Sequence, residues 1–235
     1  MPILFEGALK KWKFTLAFTA ITLLFALLEI FYQLTLPLTT QSYAIVRGLG
    51  FAGATFLAMA LLLPSLFRFR PKLAKYWTIT RALGVGGFLL ICVHVAFAIL
   101  VVYLGDLRFV FYSLNPMQNP LIFGVLGFLF FLPVALTSTD WAVRKFASGW
   151  KKIQRLVYLG FWASIFHFLM VNPLALNNVS GYLLELVTVA ALLGELYWFF
   201  RVSGQRKFRS IGFAIGVFII ILYLVTIYLG YFGTK

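Results

Sequence analysis

The sequence predicts an all-α, polytopic transmembrane helix bundle of about seven spans, with the N-terminus cytoplasmic and the C-terminus outside. Three observations lead there. The first is composition: of 235 residues, 63% are apolar and only 11% are charged. Soluble domains run at about half apolar and about a quarter charged. Such a chain lacks the polar surface to coat a water-soluble globule, so lipid must be its solvent. The second is a series of continuous apolar runs, each long enough for a helix across the bilayer. The third is the alternation of basic residues between successive loops.

A spanning helix needs about 20 apolar residues. Seven runs qualify, at 14–36, 44–67, 82–104, 120–138, 153–171, 181–200 and 210–232. Asn115, Pro116, Asn119 and Pro120 introduce the fourth, and Asn172, Pro173, Asn177 and Asn178 divide the fifth from the sixth. A membrane barrel would need alternating segments of about ten residues. These runs are continuous, so helices are predicted.

Loop charges orient them. Lys10, Lys11 and Lys13 precede the first run. Arg68, Arg70, Lys72, Lys75 and Arg81 lie between the second and third. Arg144, Lys145, Lys151, Lys152 and Arg155 lie between the fourth and fifth, and Arg201, Arg206, Lys207 and Arg209 between the sixth and seventh. The opposite side has only Arg47, Arg108 and Lys235. An inside N-terminus and an outside C-terminus require an odd number of spans. No secretory signal peptide is evident, and the expected location is the inner (plasma) membrane as a multi-pass protein.

The net charge of +14 is therefore a topology signal. The basic residues form no solvated patch of the kind nucleic acid requires, and membrane lipid is the expected surrounding. Cys92 is the single cysteine, which excludes an intrachain disulfide and a cysteine metal site. The connections are too short for a nucleotide-binding domain. Gly84, Gly86 and Gly87 open a membrane helix, where glycine serves close packing. Asn178-Val179-Ser180 matches a glycosylation acceptor as a chance occurrence. The chain reads as one transmembrane domain over 1–235.

Only two histidines occur, His94 and His167, and both fall within spans. Polar side chains at membrane depth are costly and face the bundle interior. A lone histidine there can simply bond a neighbouring helix. Two features point further. The third and fifth spans run in the same direction. His94 is 12 residues past Ala82 and His167 is 14 past Ile153, which at about 1.5 Å per residue are depths of roughly 18 and 21 Å. Two neutral imidazoles at one level can supply both axial ligands of a haem iron. Gly87 and Gly160 each precede their histidine by seven residues, close to two turns, and would leave room for a porphyrin edge.

At these residues the sequence resembles a known family. Thr80-Arg81-Ala82-Leu83-Gly84 leading to His94 is similar to the third helix of the ferric-reductase-like transmembrane superfamily. Leu136-Thr137-Ser138-Thr139-Asp140 through Arg144-Lys145 resembles its fourth–fifth loop. Trp150 to Tyr158, followed by His167-Phe168, resembles its fifth helix, and Pro64 fits the second. Within that superfamily the resemblance is to the MsrQ/YedZ type, the haem-binding membrane subunit of periplasmic methionine-sulfoxide reductase. It covers about 45–172, which defines an expected haem core, with 205–235 as an additional C-terminal span beyond the family's six.

The resemblance implies a haem b held by His94 and His167. Where the family commonly has a second histidine on the fifth helix, this chain has Gln154, and the inner end of the third helix has Thr80 and Arg81. One haem is therefore expected, not two. Arg81 and Arg155 stand where the family could face a quinone or flavin. The expected function is a b-type cytochrome that carries electrons between a quinol or flavin donor and a periplasmic or membrane redox partner, as an electron-transfer subunit of an oxidoreductase. The alternative is a structural or accessory subunit of a larger membrane complex, with haem retained or lost. A transporter would call for broken helices or repeats near the midplane, and neither is evident.

Three carboxylates lie within spans. Glu185 falls near the outer end, where interfacial solvation suffices, and Glu195 near the inner end, where a basic partner such as Arg201 is at hand. Glu29 lies deeper, and a proton relay is its functional reading. Trp12, Trp77, Trp141, Trp150 and Trp198 cluster at span ends as an aromatic belt. Trp162 lies inside the fifth span as a packing residue.

Overall fold

The structure, a computed structural model, describes residues 2–172 and 177–202. All regular structure among the described residues is helical. The order is α1 (Pro2–Leu34), α2 (Gln41–Phe69), α3 (Trp77–Phe97), α4 (Leu121–Leu136), α5 (Asp140–Phe146), α6 (Trp150–Gln154), α7 (Leu156–Val171) and α8 (Val179–Val202). A 3₁₀ segment, Pro71–Tyr76, joins α2 to α3, and a π turn, Ala98–Val102, ends α3.

Six of the seven apolar runs correspond to these helices. Five segments are long and apolar enough to cross a membrane: Phe14–Leu34, Gln41–Phe69, Pro71–Val102, Asp140–Val171 and Val179–Trp198. The fourth run forms a helix of 16 residues, about 24 Å long, less than the hydrocarbon thickness of about 30 Å. Its C-terminal end has a local cause. The Thr137 and Ser138 hydroxyls donate to the carbonyls of Pro133 and Val134, both at 2.7 Å. Thr139 then caps α5 by accepting from the Ala142 N–H at 3.2 Å, so the chain turns there. The fifth run is interrupted at Arg155, between α6 and α7. The seventh run, 210–232, and the side on which the C-terminus emerges lie outside the described residues.

The lipid-facing side of α1 is plain from exposure: Leu23, Leu24, Leu27, Leu28 and Phe31 are each more than half exposed. In water this would be an aggregating patch. In a bilayer it is the expected surface, because backbone groups are satisfied within the helix and apolar side chains meet apolar solvent. This is a multi-pass membrane protein.

The contacts between helices fix their directions. Glycines on α2 meet α3 in descending order: Gly50 lies against His94, and Gly53 against Ile91 and Gly87. α2 and α3 are therefore antiparallel. On the other side, Gly124 meets His167, Gly127 meets Ser164, and Phe131 meets Gly160, so α4 and α7 are antiparallel too. α2 also carries α1, through Ile30 against Gly48, and α8, through Gly194 against Ser65. The result is two closely packed pairs, α2–α3 and α4–α7, that touch one another sparsely. Ring contacts bridge them: Phe51 meets Phe168 edge-on with centroids 4.6 Å apart, and Phe88 stacks on Phe128 at 5.4 Å. Phe51, Phe88, Phe131 and Phe161 form much of the central core.

Candidate functional site: paired histidines and an inner cavity

His94 comes from α3 and His167 from α7, one from each closely packed pair. α2 sets their relative height. Its Gly50 touches the His94 ring, and the next residue, Phe51, packs on Phe168, the neighbour of His167. The two imidazoles therefore lie at one level and within electrostatic reach of each other. α3 and α7 are both parallel to one another and antiparallel to their partners, as the sequence expectation of parallel third and fifth spans requires.

Each ring is held in the same way. His94 Nδ1 lies 2.8 Å from the Val46 carbonyl on α2, and His167 Nδ1 lies 3.2 Å from the Pro120 carbonyl at the start of α4. A carbonyl can only accept, so each Nδ1 carries the proton. In a neutral ring, Nε2 then keeps its lone pair. A backbone carbonyl on the far nitrogen is the usual way a metal-binding imidazole is oriented. The donor set, the shared level and the sparse contact between the pairs all fit a bis-histidine haem.

The glycines in contact with the rings are Gly50 and Gly124. A Cβ at Gly124 would fall 2.9 Å from His167 Nδ1, and one at Gly50 would fall 3.2 Å from His94 Nδ1. The sequence reading singled out Gly87 and Gly160 instead. Gly87 lies against the Gly53 carbonyl and Leu57 of α2, and Gly160 against the Phe131 ring of α4. Each lets its helix close on its neighbour. The signal for the missed pair was present as two G-x-x-G steps, Gly50/Gly53 and Gly124/Gly127, on the partner helices rather than the histidine helices.

Toward the opposite end of α3 and α7, a cavity of about 300 Å³ opens between the two pairs. Leu57, Phe88 and Phe131 give it an apolar floor, and Trp77, Trp150, Arg81 and Arg155 stand on its walls. Its polar wall is organised around Glu195. That carboxylate accepts from the Ser65 hydroxyl at 2.7 Å, from Arg68 Nη1 at 3.1 Å and from the Tyr158 hydroxyl at 3.2 Å. The expected basic partner exists, but it is Arg68 of α2. Arg201 donates instead to the Tyr197 hydroxyl at 2.6 Å. Arg81 is paired with Asp140. Gln154 also lines this cavity, and its amide donates to the Val134 carbonyl at 3.2 Å and Thr137 Oγ1 at 3.1 Å. Its side chain is thereby fastened to the end of α4.

Other expected residues fall as follows. Glu29 is 7% exposed and accepts from the Ser180 hydroxyl at 2.5 Å. The Ser180 of the glycosylation-like triplet is thus a buried bonding partner. One turn beyond Glu29, Gln33 is fully buried, and neither amide atom has a partner among the described residues. Glu185 Oε1 is also buried without a partner among the described residues. Trp162 packs on Phe166, with centroids 4.5 Å apart.

The family profile described as ferric reductase like transmembrane component matches residues 49–165. Among curated proteins, the chain is similar to the haem-binding subunit MsrQ of protein-methionine-sulfoxide reductase from Caulobacter vibrioides, 32% identical over 122 residues, which are 49% of this chain and 54% of that one. It is similar to the subunits of the same name from Brucella ovis and Brucella canis, each 33% identical over 73 residues, 31% of this chain and 30% of theirs. The matched segments thus span about half or less of these relatives. No solved structure matches the chain significantly. Across residues 49–165, which hold His94 and most of the cavity and end two residues before His167, the chain belongs to the ferric-reductase-like transmembrane family.

Proposed function

We propose that this protein is a b-type cytochrome of the inner (plasma) membrane that carries electrons through one haem held by His94 and His167. The observation that carries the reading is the matched pair of imidazoles, one from each helix pair, at one level and each oriented through Nδ1 by a backbone carbonyl. The haem, when bound, supplies a one-electron redox centre. The protein's own part is to fix two Nε2 atoms toward it, to exclude water with the phenylalanine core and to leave no open coordination position. Gly87 and Gly160 serve by letting the histidine helices close on α2 and α4, which sets the width available between the pairs.

Electrons enter, in this reading, at the inner cavity. Its aromatic walls and unbalanced positive charge suit the ring of a quinol or a reduced flavin, and it adjoins the histidine level through Phe88 and Phe131. The acceptor is a redox protein on the outer side. The relatives' name suggests a methionine-sulfoxide reductase as the partner of this chain. One haem is proposed because the inner cavity offers Gln154, already bonded to α4, in place of a second histidine. The same observation favours the second reading, an accessory subunit that has kept the architecture for assembly.

The deciding experiment is a reduced-minus-oxidised spectrum with a pyridine haemochrome assay on the purified protein. Low-spin haem b at one per chain, reducible by a quinol analogue or a reduced flavin, supports the cytochrome. Absence of haem leaves the accessory reading.

A further inference from the structure

We propose that Arg47 binds a haem propionate at the outer end of the bundle. This rests on the haem reading above. It concerns a residue two positions before the family-matched segment, to which no role attaches so far.

Arg47 follows Val46, whose carbonyl holds His94, and precedes by three residues Gly50, which touches the His94 ring. Tyr43, Arg47, Gly50 and Ala54 are spaced i, i+4, i+7, i+11 along one face of α2. Gly48 points elsewhere, at Ile30 of α1. Three residues are about 4.5 Å of rise, so Arg47 stands about one turn outward of the His94 contact. Its side chain continues outward: Nη1 makes a 3.5 Å bond to Thr39 Oγ1, and the guanidinium lies 5.9 Å from the centre of the Tyr43 ring.

This guanidinium is half-buried, and no carboxylate lies within ion-pair distance of it among the described residues. A partly buried arginine with one long hydrogen bond has most of its five donors unused. The other outer arginine is occupied and in water. Arg108 is 92% exposed and bonded through Nε and Nη2 to Asp106, whose carboxyl it holds below the usual range. Among the described residues, Arg47 is therefore the arginine near the histidine level on this side that has no carboxylate partner. Tyr103, which follows the π turn after α3, lies within electrostatic reach of Tyr43 and Tyr112.

A haem brings two carboxylates, and a carboxylate in hydrocarbon is costly. In the orientation that the basic loops predict, the histidines lie in the outer half, so the shorter way to polar surroundings is outward, past Arg47. The guanidinium fork matches a carboxylate bidentately. A lipid phosphate shares this anion chemistry, and the test separates the two.

Redox titrations would compare wild type with Arg47→Gln, Arg47→Lys and Arg108→Gln, each in phosphate-free maltoside detergent and in phospholipid nanodiscs. A positive charge beside haem favours the reduced state. Arg47→Gln is expected to lower the reduced-to-oxidised ratio at fixed potential about tenfold, which is 59 mV for a one-electron couple. Arg47→Lys should fall between, and Arg108→Gln should match wild type. Reconstitution with protohaem dimethyl ester, which has no free propionate, should sharply reduce the Arg47→Gln shift. If Arg47→Gln holds no haem, Arg47→Lys carries the test and should retain haem at a lower potential. An unchanged potential in both Arg47 variants overturns the proposal. So does an equal shift with the diester, which would mean a field acting at a distance. A shift seen only in nanodiscs assigns the anion to lipid and also overturns it. Wild type without haem overturns the cytochrome reading, and this inference with it.

Discussion

His94 is tied to Val46 by a 2.8 Å bond from ring nitrogen to helix carbonyl. The bond joins α3 to α2 and fixes which nitrogen of the ring faces away. His167 repeats the arrangement with Pro120 across 3.2 Å. Two independent helix pairs thus present the same imidazole tautomer at one height, and the predictions begin there.

His94→Ala and His167→Ala should each abolish the low-spin haem spectrum while leaving the protein in the membrane. Removing one axial ligand leaves the iron five-coordinate at best. Visible spectra of the purified variants check this. Haem retained as low-spin in both would refute the ligand assignment.

Gly124→Ala should damage the same spectrum without touching a ligand. Its Cβ would meet His167 Nδ1 at 2.9 Å, and the ring cannot retreat without losing the Pro120 bond. Overpacking of this kind costs about 1–3 kcal/mol. Gly149→Ala, whose Cβ meets nothing within 4 Å, is the control and should behave as wild type. Haem content and thermal stability of the two variants make the comparison.

Glu195→Ala should loosen the end of the bundle away from the histidines. It removes the shared acceptor of Ser65, Arg68 and Tyr158, which belong to α2 and α7. With the carboxylate 24% exposed, the expected loss is about 1–3 kcal/mol, mostly from donors left without a partner. Asp106→Ala, which breaks an exposed pair within one turn, should leave the melting temperature unchanged. Detergent-phase melting curves distinguish them.

Glu29→Gln should be mild and Glu29→Leu damaging. An amide can still bond the Ser180 hydroxyl, whereas leucine strands a buried hydroxyl at a cost of about 1–3 kcal/mol. Equal stability of the two variants in a melting assay would show that the Glu29–Ser180 bond contributes nothing.

Gln154→His should not install a second low-spin haem. The facing end of α3 offers Thr80 and Arg81, neither of which can ligate iron, and both existing histidines lie at the other level. The haem-to-protein ratio should stay at the wild-type value; a doubling would refute the single-site reading.

The apolar runs and the basic loops were enough to place six helices, within a few residues except for the start of α1, because a spanning helix must satisfy its own backbone and leaves a long, unbroken trace. The two histidines were legible for a similar reason: a polar residue in such a run stands out. Where the runs meet local chemistry the trace is less exact. The Thr137–Ser138–Thr139 capping shortened α4, and the break at Arg155 divided the fifth run.

What lay beyond the sequence was pairing. Gly50 and Gly124 sit on helices without a histidine, and nothing in their own runs says that an imidazole rests on them. Glu195 found Arg68, 127 positions away, rather than the nearer Arg201. Glu29 found Ser180, and Gln33 was enclosed without a partner. By itself the sequence determined that this chain lives in a membrane as helices and which polar residues it carries inward, since hydrophobicity and charge act residue by residue. Only the tertiary structure decided which helices close together, and so which nitrogen of each histidine is left free and where Arg47 points. Those outcomes depend on side chains meeting across helices far apart in the chain.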